Sequence, residues 1–272
     1  SIYHNSTVYY SEYDGNQDWV LDVIILIVEG SANGDNSLFW PFRGTISSDL
    51  IIPVQHQNIN GQFELDNTVI IYSSDNGYFM GEHTYKDKRL AYENSIRVPM
   101  IIRFPNKERA GQRDDRLTSF VDFPPTLLSM VEIEPPSYMQ GQAFEGKFKT
   151  NTPRKFIHGH ADRFDESVDM IRAVRDRRFK YLKNFYPEKP YYLPLKYREG
   201  MEVMQELLRM RDAGELDNDQ ALWFRQSKAE EELFDTENDP FELNNIVDDP
   251  AYSEVLFTLR AECDQWMRAI HD

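Results

Sequence analysis

A single cysteine, Cys263, stands in 272 residues, so no internal disulfide framework holds this chain together. It falls in the helix-like pattern LRAECDQWM, where a packed thiol is expected rather than a nucleophile. Long apolar runs are missing too. The longest, VIILIV after Asp22, has the length of a buried strand and falls far short of the roughly 20 residues that cross a bilayer. The opening SIYHNSTVYY has neither the basic start nor the apolar stretch of a secretory signal. Cations are scarce: 30 Lys and Arg face 46 Asp and Glu, a formal net charge of -16. That balance argues against nucleic acid as a partner, because phosphate binding needs clustered Lys and Arg. It leaves an anionic substrate open, since one pocket can be basic within an acidic protein. Residues 1–61 hold no repeat and no low-complexity tract, and the sequon Asn5-Ser6-Thr7 matters only in a secreted eukaryotic protein.

What is present is globular: 40% hydrophobic and 13% aromatic residues, over a length that suits one large domain or two smaller ones. Three parts can be distinguished. Residues 1–61 are an unassigned N-terminal segment with one strand-like run, VLDVIILIVEG (Val20–Gly30), a polar Gly/Asn/Ser loop and a short apolar run at Leu50–Val54. Residues 62–150 have an α/β rhythm. TVIIYSS (Thr68–Ser74) and VPMIIRFP (Val98–Pro105) predict strands, the first covered on both faces. VDFPPTLLSMV (Val121–Val131) predicts a helix with Asp122 as N-cap and prolines confined to its first turn.

Residues 151–272 read as a small antiparallel sheet with helices packed on one face. Strands are expected at KFIHGHAD and at MIRAVRDRRFKYLKNFYP, the latter a hairpin turning at Arg175–Arg178. A helix over GMEVMQELLRMRDAG has Gly214 as C-cap, EELFDTENDPFELNNIVDDP is a strand entering a turn-rich loop, and a last helix runs from about Tyr252 to Ala269.

The stretch SSDNGYFMGEH (Ser73–His83) poses the functional question. Asn-Gly is a strong hairpin-turn signal, because both residues tolerate positive φ. In open α/β sheets, however, ligands gather at the carboxyl ends of strands, where Asp75 and Asn76 stand. A carboxylate beside a carboxamide offers hard oxygen ligands, suited to calcium or magnesium rather than zinc. Glu82, His83, Lys86, Lys88 and Arg89 follow, groups able to bind an anionic ester or stabilise charge on a leaving oxygen. A solvated loop between two strands is the competing reading. Elsewhere, RAVRDRRFK could be a basic patch, but arginines of an alternating strand are ordinarily just solvated. The aromatics of Asn184–Tyr197 suit a packed loop better than a sugar platform, and FDTENDPFELNN lacks EF-hand spacing and reads as a turn.

Residues 68–105, TVIIYSSDNGYFMGEHTYKDKRLAYENSIRVPMIIRFP, resemble without a gap the sulfatases of the alkaline-phosphatase superfamily. The resemblance is nearest to the bacterial branches related to choline, iduronate and heparan sulfatases. Its pieces are strand–DNG, GEH, a lysine five residues after that histidine, and YE-x-S-x-RVP. It continues through VDFPPTLLSMVEIEPPSYMQGQAF, DMIRAVRDRRFKYLKNF and EELFDTENDPFELNNIVDDP, and so covers about residues 62–272. It implies an α/β fold: the C-terminal part of an alkaline-phosphatase-like mixed sheet with helices, then a small antiparallel sheet with a C-terminal helix. It further implies hydrolysis of sulfuric esters, on a sulfated small molecule or glycan, in the periplasm, in the lysosome or outside the cell.

Carried over residue by residue, Asp75 and Asn76 match two ligands of a divalent cation, Ca2+ or Mg2+, beside the catalytic nucleophile. Lys88 matches the lysine that contacts the substrate sulfate and steadies the leaving oxygen, with His83 as a second contact from the same loop. Arg97 is expected to form a structural ion pair, with Glu93 as its partner. His158 and His160 fall where related enzymes place residues that reach toward substrate, and their spacing on a strand gives them a shared face.

The family's nucleophile is a formylglycine made from the Cys or Ser of a C/S-x-P-S-R-like motif, and this sequence has no such motif. Two further acidic ligands normally form a paired-aspartate motif after the first strand; Glu29 and Asp35 stand there in a different arrangement, and His56 has the wrong context for a substrate-side histidine. The expectation is the C-terminal portion of a sulfatase, one that completes a split site with a missing N-terminal half or derives from a longer enzyme. The alternatives are a non-catalytic sulfated-glycan-binding or scaffold protein and, third, a phosphoester hydrolase. A portion lacking most of its parent sheet is also expected to expose a strand edge and apolar faces, and so to be poorly stable or to associate, unless residues 1–61 cover them.

Overall fold

The computed structural model describes residues 68–80, 82–84, 88, 90–164 and 166–272, together with the backbone of residues 22–27. The expectations for Leu50–Val54, Glu29, Asp35, His56, Lys86 and Arg89 lie outside the described residues.

Two sheets organise the chain. The first contains β1 (Asp22–Ile27), β2 (Thr68–Ser73) and β3 (Met100–Arg103), in that order. β1 runs parallel to β2, and β3 runs antiparallel to it, so the sheet is mixed. Alternation buries Val69, Ile71 and Ser73 on one face of β2, while Ile70 and Tyr72 on the other are half-buried. Both faces of β2 are therefore covered, fully on the first and partly on the second, where Thr68 is buried as well. Between β2 and β3 lies one helical turn, α1 (Glu93–Ile96).

The helix α2 (Phe123–Met130) forms as predicted, with prolines in its first turn. Asp122 does a different job from the one expected. It closes the preceding 3-10 turn (Phe120–Asp122) and accepts from the backbone N–H of Ser119 and of Gln142, at 2.9 and 2.8 Å, and from Arg154. Its carboxylate pins the loop after α2 rather than the free N–H groups of α2.

The second sheet is antiparallel throughout: β4 (Ile157–Phe164), β5 (Ser167–Arg175), β6 (Phe179–Asn184) and β7 (Glu231–Asp235). The β5–β6 turn falls where expected, and Asp176 accepts from the N–H of Arg178 and of Phe179. After β6 come α3 (Lys196–Glu199), α4 (Glu202–Ala213) and α5 (Asn218–Ala221); α6 (Ser253–Ala269) ends the chain. Gly214 ends α4 at φ 70°, the left-handed geometry of a helix C-terminus.

Side chains alternate across this sheet, so its two faces have different duties. Val174, Tyr181 and Leu233 pack with Leu259 and Cys263 of α6. Ile171, Ala173, Leu182 and Phe234 point the other way and pack with Phe79, Leu90 and Tyr92, the segment that follows β2. Helices were expected on one face, but both carry them: α6 covers one, and the other carries the DNG-to-RVP segment together with Met204, Leu207 and Leu208 of α4 and Trp223.

Arginines of β5 and its turn are not simply solvated. Arg172 is buried against Asp272 and Asp162, and Arg175 pairs with Glu93. Only Arg177, paired with an exposed Asp115, fits the solvated description. A buried guanidinium needs carboxylate partners, and tertiary folding brings them from distant parts of the chain.

Candidate active site

At the carboxyl end of β2 the chain does not turn into a hairpin. Gly77 is absent from the residues with positive φ, so conformational freedom is not why glycine stands there. Close approach is the reason. A Cβ on Gly77 would lie 2.0 Å from the carbonyl oxygen of Asn94, and the Gly77 N–H donates to the Ser95 carbonyl at 2.7 Å. Asp75 is exposed at this corner, Asn76 is half-buried, and the Ser74 hydroxyl donates to the Asn76 carbonyl at 2.7 Å.

Ser95 also reaches the lysine. Its hydroxyl, buried with the rest of the residue, donates to the backbone carbonyl of Lys88. One serine of α1 thus bonds both the DNG corner and Lys88, two places eleven residues apart in sequence. The motif YENSIRVP reveals its division of labour here. Tyr92 packs, Glu93 is charged and paired, Asn94 and Ser95 accommodate Gly77, and Ser95 holds Lys88.

His83 takes φ 52°, a left-handed conformation uncommon outside glycine. Its ring stacks on Tyr92, with centroids 4.6 Å apart, and meets Phe79 edge-on. Burial pushes its pKa down, although a hydrogen bond to the Phe241 backbone and nearby carboxylates act the other way. His83 Nε2 is buried without a hydrogen-bond partner among the described residues. It borders a cavity of about 30 Å³ shared with Tyr92, Tyr191 and Glu232, room for about one water. On its other side a cleft of about 440 Å³ opens between Met80, Glu82, His83, Asp219 and Phe241.

Two buried polar groups tie this segment to the second sheet. Lys180, fully buried on β6, lies 3.0 Å from Glu93 and 2.8 Å from Glu242. Burial alone would raise the Glu93 carboxyl, but Lys180 and Arg175 outweigh it and hold it below its usual range. Arg97, expected as the partner of Glu93, sits 4.0 Å away and is mostly exposed, so it is a peripheral member of the pair. Glu232 on β7 is the second group. It accepts from Asn184 at 2.7 Å, from Tyr92 at 2.9 Å and from Tyr191, and burial raises its carboxyl.

His158 and His160 do share a face, and that face is turned to α6. His158 stacks on Trp266, centroids 4.8 Å apart, and its Nε2 lies 3.0 Å from Glu262; His160 approaches the same indole at 6.5 Å. In the register of β4 with β5 they stand opposite Val174 and Arg172, on the side away from Tyr92 and Phe79. The structure does not bring them to the DNG–Lys88 corner. Period-two alternation explains both the shared face and its direction.

As for a metal, Asp75 and Asn76 supply two oxygen donors, and no group of three or more His, Cys, Asp or Glu side chains converges among the described residues. Calcium takes six to eight oxygen ligands. The pair therefore fits as part of such a shell and not as the whole.

Sequence reasoning passed over Ser95, Lys180, Glu232 and Glu242. The one available signal was the polar YENS set between apolar segments, which marks residues without naming their partners.

A family model described as N-sulphoglucosamine sulphohydrolase, C-terminal, matches residues 81–211. An ulvan-active sulfatase of Formosa agariphila is 52% identical over 208 residues, 76% of this chain and 34% of that protein. The chain belongs to the sulfatase family. It corresponds to a C-terminal portion, within the alkaline-phosphatase-like superfamily. An N-acetylglucosamine-6-O-sulfatase of Bacteroides thetaiotaomicron is 38% identical over 130 residues, 45% of this chain and 23% of that protein. A similar fold is found in a solved structure described as a complex with its substrate D-glucosamine-2-N,6-O-disulfate: TM-score 0.51, 29% identity, 75% of this chain and 35% of that one. This sulfatase-family chain spans well under half the length of the first curated relatives it matches. Among its described residues, no helix is long and apolar enough to cross a membrane.

Proposed function

We propose that this chain supplies the metal-binding corner and the leaving-group lysine of a sulfuric ester hydrolase acting on sulfated carbohydrate outside the cytoplasm. The observation that carries this reading is the shared anchor: Gly77, behind Asp75-Asn76, and Lys88 are both bonded to Ser95. The carbohydrate class is supported by the names of relatives, an ulvan-active sulfatase and an N-acetylglucosamine-6-O-sulfatase.

In this reading Asp75 and Asn76 contribute two oxygen ligands to Ca2+ or Mg2+, and residues outside the described set complete the shell. The ion's chemistry is to draw charge from the sulfuryl oxygens. The Lys88 ammonium contacts the sulfate and favours departure of the ester oxygen by stabilising the charge that develops there. His83, neutral at pH 7 and stacked on Tyr92, shapes the loop and presents its edge to the cleft. That cleft is of a size to hold a sugar, with Phe241 as an apolar wall and Glu82 and Asp219 for hydroxyl groups. His158 and His160 hold α6. The formylglycine nucleophile comes from a segment that carries its motif.

The test is to assay sulfate release from sulfated oligosaccharides by the chain alone and by the chain combined with the upstream portion of the Formosa relative. Release is expected only from the combination. Lys88→Ala should lower it by about 100-fold, and Asp75→Ala should weaken Ca2+ binding measured by calorimetry. Metal-dependent glycan binding without turnover in both settings would overturn the hydrolase reading in favour of a binding protein.

A further inference from the structure

The DNG corner and Lys88 are separated by a stretch rich in polar and charged residues, yet their spacing must be held for both to act on one ester. Backbone bonds to a common residue fix such a spacing without any contact from a side chain to the substrate. Ser95 makes two: its carbonyl accepts from Gly77 at 2.7 Å, and its hydroxyl donates to the Lys88 carbonyl. The serine itself has little freedom. It is 2% exposed, its N–H donates to the Tyr92 carbonyl at 3.0 Å, and the turn that carries it lies in contact with Gly77.

That turn is in turn held from the second sheet. Glu93, two residues before Ser95, is bound by Arg175 of β5 and Lys180 of β6, each at 3.0 Å. Glu242 completes the set: it lies 2.8 Å from Lys180 and accepts from the Glu93 N–H at 2.6 Å. Two strands of the C-terminal sheet and the loop after β7 therefore converge on a four-residue turn, and that turn meets both halves of the proposed site. Packing alone would need fewer charges. Four buried or mostly buried charged side chains are a costly way to hold one helical turn, and are justified where its position matters more than the stability gained.

We infer that Ser95 is a positioning residue, setting the DNG corner and Lys88 relative to each other, and that Arg175, Lys180 and Glu242 transmit the rigidity of the C-terminal sheet to it through Glu93. The inference rests on the hydrolase reading for its catalytic consequence, and on geometry alone for its mechanical one. Ser95 touches no substrate. Its loss leaves Lys88 charged and present but displaced.

Two readouts separate these layers. The first needs no turnover: hydrogen exchange of Ser95→Ala, followed in peptides covering residues 74–80 and 88–92, with the β5–β6 hairpin as internal reference. Ser95→Ala removes the hydroxyl bond to Lys88 and keeps the backbone carbonyl that accepts from Gly77, so exchange should rise most in residues 88–92, with a smaller rise carried to residues 74–80 through the loosened turn, while the hairpin stays protected. No rise in residues 88–92, or no rise at all carried to residues 74–80, overturns the inference, and so does loss of protection everywhere. Should Ser95→Ala fail to fold, Ser95→Cys, which keeps the volume and weakens the donor, is read in the same way.

The second readout uses the combined enzyme and a series of aryl sulfates with leaving groups of increasing pKa. Lys88→Ala should lose most on the poorest leaving groups. Ser95→Ala should show the same trend at reduced size, about tenfold on the poorest, and Ser95→Thr, which restores a hydroxyl, should recover part of it. An equal loss on every leaving group would mean a merely structural serine. If Lys88→Ala itself shows no leaving-group dependence, the hydrolase reading fails and with it the catalytic consequence, while exchange still decides whether Ser95 joins the two segments.

Discussion

At Gly77 a single hydrogen atom in place of a side chain lets two backbones touch. Gly77→Ala puts a Cβ 2.0 Å from a carbonyl oxygen that belongs to the backbone and cannot rotate away. We expect a loss of about 1–3 kcal/mol in urea unfolding and, on the proposed metal-corner reading, Ca2+ binding weakened beyond that of a distant variant of equal stability. Cys263 presents the opposite case, a reactive group made idle. It is fully buried against β5 and β6, and burial pushes its thiol up to about 11. Native protein should therefore not react with a disulfide reagent at pH 8, while urea-unfolded protein takes one equivalent; prompt native labelling would contradict its packing.

Glu232 gives a pH dependence with a definite sign. Burial raises its carboxyl above the usual value of 4.5, so between that value and the folded one the native state holds the proton more tightly than the unfolded chain. Its contribution to stability is present below pH 4.5 and is lost as pH rises through the folded value. Glu232→Gln keeps acceptors for Asn184 and Tyr191 without a buried charge, and Tyr92 can turn its hydroxyl to accept from the new amide. The variant should melt at or above the wild-type temperature at pH 7, and that advantage should vanish toward pH 4. A variant less stable at pH 7 than at pH 4, relative to wild type, would refute the assignment.

At the scale of elements, the joint between α1 and the second sheet is the informative one. Lys180 is fully buried and faces Glu93 and Glu242. Lys180→Met would leave two carboxylates buried with only Arg175 and Arg97 to compensate, and should cost roughly 3–5 kcal/mol in denaturant unfolding. Adding Glu242→Gln should recover part of that loss, because one of the stranded charges is then removed. Strict additivity of the two changes would show that they do not interact. The joint at the back of the sheet is built differently, from His158 of β4 stacked on Trp266 of α6 and from Arg172 of β5 paired with Asp272 at the end of the sequence. Most elements could be read from pattern: β2, the β5–β6 hairpin, α4 with its Gly214 cap, and α6. Their partners could not, since a strand's alternation tells which residues share a face and not what that face meets.

For the whole molecule, the mixed sheet ends at β1 and β3 among the described residues, and Ile101 on β3 is half exposed. A sheet edge with apolar neighbours seeks pairing. The chain alone should elute as more than one species, with a thermal midpoint that rises with concentration. Adding the upstream portion of a relative should convert it to a single complex with a higher midpoint. A sharp, concentration-independent transition of a monomer would show that the edge is already covered. The net charge of -16 favours solubility of whatever form results.

The sequence alone determined the ancestry and the strand that ends in the candidate metal corner, because those depend on residue order and on the local alternation of apolar side chains. It also carried the candidate ligands Asp75 and Asn76 and the candidate Lys88, whose spacing is local. Tertiary structure decided the rest. It showed that Gly77 serves close approach rather than a turn, that Ser95 joins two segments, and that the β5 arginines are spent on carboxylates far away in sequence. It also turned His158 and His160 to the back of the sheet. The physical reason is the same in each case: contacts between segments tens of residues apart depend on which faces meet, and local pattern records only that a face exists.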